Sequence, residues 1–245
     1  MIGKLQGDRG LLLGAVAIFS FSLVAGGFLL GDGLRRAKSA ERSITVRGLS
    51  ERDVTANLAT WRVSFSQAGD DLASVNARVE AQSRAVRSFF ERSGFKPADI
   101  SDSGVTFSRE DLTNDDGQIV GNRITVRRSI ELRSDDVMRA RAAHQRSAEL
   151  LRAGVQLEDS NLVYSFTRLN QLKPEMIAEA TKRARESAVQ FARDSGADVG
   201  GIRSASQGYF SIGPRDGSGE EEGESGGSSP YQKVRVVTTV EYAVD

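Results

Sequence analysis

Cysteine is absent from the 245-residue chain, and histidine occurs once, as His144. The first absence excludes disulfides, thiolate metal sites, thiol nucleophiles and CxxC redox chemistry. It does not name a compartment, because a reducing cytosol and an oxidising periplasm both accept cysteine-free chains. The single histidine excludes metal sites built from several imidazoles. Net charge is missing as well: 33 basic side chains stand against 33 acidic ones. A chain without a basic excess lacks the electrostatic footprint of a nucleic-acid binder. No GxSxG, HExxH, kinase, Walker or Rossmann signature occurs.

What is present begins with an uncharged run. Residues 11–30, "LLLGAVAIFSFSLVAGGFLL", contain no charged side chain. At about 1.5 Å per residue this run covers roughly 30 Å, the thickness of a bilayer core. It is read as an uncleaved transmembrane anchor, with a short tail at 1–10 before it and a linker at 31–42 after it. A secretory signal would have a shorter apolar region and a small-x-small cleavage site. The best such site, Ala37 with Ser39, sits behind Arg35 and Arg36 and encloses Lys38. Those three cations outnumber Lys4 and Arg9 on the other flank, which by the positive-inside rule favours a cytoplasmic domain. Small residues at Gly10/Gly14, Ser22/Gly26 and Gly27/Gly31 permit close helix–helix approach.

Residues 43–245 read as one domain with the order β-β-α-β-β-α-β-α-β-β. "SITVRGLSERDVTANLATWRVSFSQAG" gives two strands; Val54, Ala56 and Leu58 share one parity and Trp61, Val63 and Phe65 the other, which suggests a bulge near Ala59–Thr60. Leu72, Val75, Val79, Val86 and Phe89/Phe90 recur at helical steps, with Asp70 or Asp71 to cap and Gly94 to close. "DSGVTFSRE" and "IVGNRITVRRSIELRS" flank the turn "DLTNDDGQ" as a hairpin, with Ile124, Val126, Ile130 and Leu132 on one face. A second helix runs from Ser134–Asp136 to about Arg152. "SNLVYSFTRL" is a strand with Leu162, Tyr164 and Phe166 on one face. A helix entered at Pro174 and ended by Gly196 follows, then the strand "GIRSASQGYFSIG". Residues 213–230 form a flexible acidic Gly/Ser loop. Val234, Val236, Val240, Tyr242 and Val244 alternate in the last strand. The fold class is therefore α+β: a largely antiparallel sheet with helices on one face, preceded by one N-terminal transmembrane helix.

Candidate chemistry is sparse. His144 could act as a general base, and Asp135 or Asp136 could converge on it, although no triad spacing accompanies them. Asp111, Asn114, Asp115 and Asp116 before Gly117 suggest calcium, but an EF-hand register places Leu112 and Arg123 at ligand positions. A polar hairpin turn fits better. Glu220, Glu221, Glu222 and Glu224 form an acidic run in the Gly/Ser loop, read as solvated. Gly200-Gly201 marks a turn. Arg123, Arg127 and Arg133 share a strand face, yet Glu131 shares it too and no aromatic stacking partners accompany them.

The most regular stretch is "LKPEMIAEATKRARESAVQFARDSG", residues 172–196, with Ala180, Ala184, Ala188 and Ala192 at a spacing of four. Ile177, these alanines and Phe191 are read as the side facing a sheet. Glu179–Arg183 and Lys182–Glu186 are opposite charges at i,i+4, as expected on a solvated helix face rather than a cationic binding face.

"ITVRGLSERDV", "FTRLNQLKPEMIAEATKRARESAVQFARDSGADVGGIRSASQG" and "VRVVTTVEYAV", in that order, resemble the SIMPL-domain family of bacterial cell-envelope proteins. The resemblance covers residues 43–245. It implies an α+β domain, exposure to the periplasm and a tendency to form homo-oligomers; it supplies no catalytic residue. The resulting expectation is a non-enzymatic domain anchored in the inner membrane through 11–30, its C-terminal part periplasmic, acting by self-assembly or protein contacts in envelope maintenance or stress tolerance. No catalytic, cofactor or metal residue is assigned, and no nucleic-acid partner. The alternative is a hydrolase or small-ligand domain assembled near His144.

Overall fold

The computed structural model describes residue 20 and residues 22–24, 26–31, 42–216 and 227–244. The tail at 1–10, most of the 11–30 run and of the 31–42 linker, and residues 217–226, which include the acidic run, lie outside them. The described part of the 11–30 run is helical. Among the described residues no helix is long and apolar enough to cross a membrane.

The elements are β1 (Ser43–Thr55), β2 (Leu58–Gly69), α1 (Leu72–Arg92), a 3-10 turn (Pro97–Asp99), β3 (Ile100–Thr113), β4 (Ile119–Ser134), α2 (Val137–His144), α3 (Ala148–Arg152), β5 (Leu157–Ser165), α4 (Leu169–Asp194), β6 (Val199–Gln207), β7 (Ser211–Pro214) and β8 (Tyr231–Val244). The α+β class holds, but the single sheet becomes two four-stranded sheets. The chain also divides into two compact units, one of residues 1–49, 178–208 and 237–245, the other of residues 50–177 and 209–236. Three of the boundaries fall inside β1, α4 and β8. The fourth, between Gly208 and Tyr209, lies between β6 and β7.

The larger unit is built on the order β3-β4-β2-β5, and each pairing is antiparallel. Register puts Trp61 opposite both Leu132 and Leu162, and Val63 opposite Ile130. Strand alternation therefore gathers Ala59, Trp61, Val63, Phe65, Ile124, Val126, Ile130 and Leu132 on one buried face. Val75, Val79, Val86, Phe89 and Phe90 of α1 join that core. Asp71 starts α1 by accepting the Ser74 N–H at 2.8 Å, and Gly94 ends it at φ 90°. Leu72, expected on the buried stripe, is exposed.

Two local expectations change here. The parity switch is not a bulge: Ala56 and Asn57 separate β1 from β2. Asn57 secures that break by bonding Thr167 through both ends of its amide, each at 2.8 Å. The helix expected up to Arg152 is two helices, because Arg146 and Ser147 donate to Ala143 and His144 in i→i+3 bonds. Such bonds tighten the turn and shift the phase by about one residue. Leu150 is accordingly buried and Leu151 exposed.

In the smaller unit, strands in the order β1-β8-β6 carry the second half of α4. Ala180, Ala184, Ala188 and Ala192 are all buried, and the middle two pack with Val240 and Tyr242 over Ile44, Val46 and Val199. Gly48 explains the small side chains from the other side. A Cβ there would lie 1.8 Å from the Ala180 carbonyl oxygen and 2.6 Å from the Ala184 nitrogen. Backbone meets backbone, so neither partner has room for a larger group.

α4 begins five residues before Pro174, which stands inside it. Phe191 is 64 % exposed, contrary to its expected place on the packing side. Alanines four apart advance about 40° per step around a helix, so the contact stripe winds away from Phe191 before it reaches Ala192. Met176, unassigned from sequence, is fully buried. Gly200 and Gly201 belong to β6, not to a turn; they span a shift in register against β8 between Val199 and Ile202.

Candidate functional site

His144, at the end of α2, is occupied in packing. Its ring meets the Trp61 ring edge-on at 5.0 Å, while Trp61 Nε1 donates to Ser160 Oγ at 3.0 Å. The nearest polar partner of the imidazole is the Ser160 carbonyl oxygen, 3.5 Å from Nε2. That is a weak contact to a main-chain acceptor, not a base beside a nucleophile. Asp136 accepts the Arg139 backbone N–H as the cap of α2 at 3.0 Å and pairs with the Arg139 guanidinium at 3.0 Å. His144 is thus engaged in core packing, and Asp136, one of the two carboxylates expected to converge on it, in a helix end. Among the described residues, no group of three or more His, Cys, Asp or Glu side chains is placed to hold a metal ion.

The other sequence candidates resolve into local structure. Asn114, Asp115, Asp116 and Gly117 form the β3–β4 turn: Asn114 Oδ1 accepts from the N–H groups of Asp116 and Gln118, and Gly117 takes φ 76°. In the arginine row, Arg127 binds Glu158, while Glu131 binds Arg62 at 2.8 Å. The Arg127 and Ser66 hydrogen bonds hold the Glu158 carboxyl below the usual glutamate range. The face is a ladder of opposite charges and offers phosphate no sustained positive field. Along α4 both expected pairs form, Arg183–Glu179 at 2.6 Å and Lys182–Glu186 at 3.9 Å. A shallow groove of about 340 Å³ on that helix is lined by Lys182, Arg185, Glu186, Val189, Gln190 and Arg193. Five of its six lining residues are charged or polar, unlike the predominantly hydrophobic and aromatic residues of a ligand pocket.

The feature that the sequence did not reveal is the edge position of β3. The strand is the edge of its sheet, 14 residues long, and only Ile100 in it is buried. Register assigns its faces: Phe107 lies opposite Val126 and Val105 opposite Arg128, on the side that carries the core. At that edge Val105 remains 61 % and Phe107 54 % exposed. Leu112, Ile119 and Val120 add exposed apolar groups toward the turn. The strand holds neither proline nor lysine, but it carries other edge-protecting devices, a bulge between Asp102 and Gly104 and the core-side charges Asp102 and Arg109. Between those charges Val105 and Phe107 leave a short open stretch of edge, a surface for pairing with another strand. Alternation in "DSGVTFSRE" could have shown the apolar pair Val105/Phe107; its edge position is a property of the assembled sheet.

Comparison with solved structures gives weak likenesses. AtUAH in complexes with (S)-hydroxyglycine and with glyoxylate is 16% identical, at TM-score 0.25, over 54% of this chain. The chain spans 35% of the length of AtUAH. A hydrolase from Listeria innocua is 14% identical, at TM-score 0.15, over 80% of this chain and 92% of its own. Neither score marks a shared fold. No curated protein matches the chain. The sequence model of the SIMPL family, described as a protein of unknown function (DUF541), matches residues 44–242. That match runs from β1 through β8 and takes in both the Gly48 strand and the alanine ladder of α4, so the chain belongs to the SIMPL family.

Proposed function

We propose that this protein is a non-enzymatic, membrane-anchored domain that works by self-assembly or protein–protein contacts in envelope maintenance or stress tolerance. The observation that carries the reading is the edge of β3, where Val105 and Phe107 face solvent at an open sheet edge. Engagement of His144 by Trp61 and of Asp136 by its helix end supports a structural role for the groups that hydrolysis would need. Anchoring is supported by the charge-free run at 11–30. The resemblance to cell-envelope proteins argues for a periplasmic domain, whereas Arg35, Arg36 and Lys38 argue for a cytoplasmic one.

Light scattering of the full-length chain in mild detergent is expected to give discrete oligomers. A strictly monomeric chain that crosslinks to no partner in membranes would sink the assembly reading. For orientation, alkaline phosphatase fused after residue 245 is expected to be active, because that enzyme matures only outside the cytoplasm. An inactive fusion at normal expression would place the domain on the other side.

A further inference from the structure

Building on the self-assembly reading, we propose that the partner on the β3 edge is a second copy of this chain, paired antiparallel about a two-fold axis at Thr106. The argument rests on the strand's own register. β3 pairs Asp102 with Ile130 and Gly104 with Ser129 on β4, so Ser103 is an extra, bulged residue. Asp102 therefore shares the core-side face with Val105, Phe107 and Arg109, which lie opposite Arg128, Val126 and Ile124.

A two-fold axis normal to the sheet keeps each face on its own side and sets opposite residues of like face together. Centred on Thr106, it places Val105 of each copy against Phe107 of the other. Gly104 then meets Ser108, and beyond the bulge Asp102 meets Arg109. Val105 and Phe107 find each other and a carboxylate finds a guanidinium, twice over, while Ile100 at the start of the strand falls opposite Asp111. Shifting the centre by one residue removes this match. Centred on Phe107, Val105 meets Arg109 and Asp102 meets Asp111. Centred on Val105, Asp102 meets Phe107 and Arg109 meets Ile100. Like charges or a charge against an aromatic ring directly opposite are unfavourable.

The surrounding charges are balanced around this contact. Asp102 already lies 2.9 Å from Arg87 and 3.6 Å from Arg128, and Arg128 lies 2.6 Å from Glu80. Arg109 arrives with Asp111 at 3.8 Å. Pairing would join two four-stranded sheets into one continuous sheet and cover the exposed Val105 and Phe107 of both copies.

Absence of cysteine makes the test direct. Opposed Cα atoms in an antiparallel pair are about 4.5–5.5 Å apart, inside the disulfide range of about 4.4–6.8 Å. Full-length chains carrying Thr106→Cys, Ser108→Cys or Ser101→Cys as their sole thiol are oxidised in mild detergent with copper phenanthroline. Thr106→Cys is expected to give a disulfide dimer several-fold faster than the other two, and adding Phe107→Ser is expected to suppress it while the circular dichroism spectrum stays unchanged. Equal crosslinking at the three positions overturns the Thr106 register. Oligomers in light scattering without a Thr106→Cys dimer overturn the β3 interface and leave assembly through another surface; monomers by both measures overturn the interface and the assembly reading together.

Discussion

Gly48 and the alanines of α4 constrain each other at the scale of single atoms. A methyl group at Gly48 would meet the Ala180 carbonyl at 1.8 Å, and backbone atoms cannot swing aside as a side-chain end can. Gly48→Ala is expected to lower stability by about 1–3 kcal/mol, the usual range for overpacking, or more, as read by urea denaturation. Glu158 makes a second residue-level prediction. Its folded-state pKa is depressed by hydrogen bonds from Arg127 and then Ser66. The stability it contributes is therefore complete above the ordinary glutamate value and lost as pH falls through the depressed one. Glu158→Gln should lower the melting temperature at neutral pH and flatten its decline in acid. An unchanged acid slope would show that the cluster on β2, β4 and β5 contributes nothing to stability.

At the scale of elements, α4 separates what a repeating pattern reveals from what it hides. Its buried alanines and both i,i+4 ion pairs follow from spacing alone. Buried Met176 also fits it, four residues before Ala180; outward Phe191 does not, because the contact stripe winds around the helix. Met176→Ala is expected to cost about 2–5 kcal/mol and Phe191→Ser no more than about 0.5 kcal/mol, compared by chemical denaturation; similar losses would refute the assigned faces. The strand faces of β2, β4 and β8 were legible for the same reason, since period-two alternation survives any sheet order. The division into two sheets was not legible, because it depends on which strands pair. The break after His144 was hidden as well: Gln145, Arg146 and Ser147 carry no glycine or proline to announce it. Of the candidate site, Val105 and Phe107 were visible as apolar positions, whereas their exposure required the position of β3 in its sheet.

For the whole molecule, β1, α4 and β8 each contribute residues to both compact units. The single tryptophan, Trp61, lies in the larger unit, and Gly48 in the smaller. If the shared elements make folding cooperative, Gly48→Ala will lower the denaturation midpoint read from Trp61 emission as much as that read from circular dichroism. Separate midpoints would show that the units melt independently. The smaller unit also holds the described stretches nearest both ends of the chain, and the Val244 N–H donates to the Arg42 carbonyl at 3.2 Å. β1 and β8 are neighbours in their sheet, so the chain enters and leaves the fold side by side. A pulling force applied between Arg42 and Val244 would open this seam bond by bond from Arg42 inward, instead of shearing all its hydrogen bonds at once. Mechanically the domain would be a weak tether, suited to bearing contacts on its flanks and ill suited to transmitting tension along its chain.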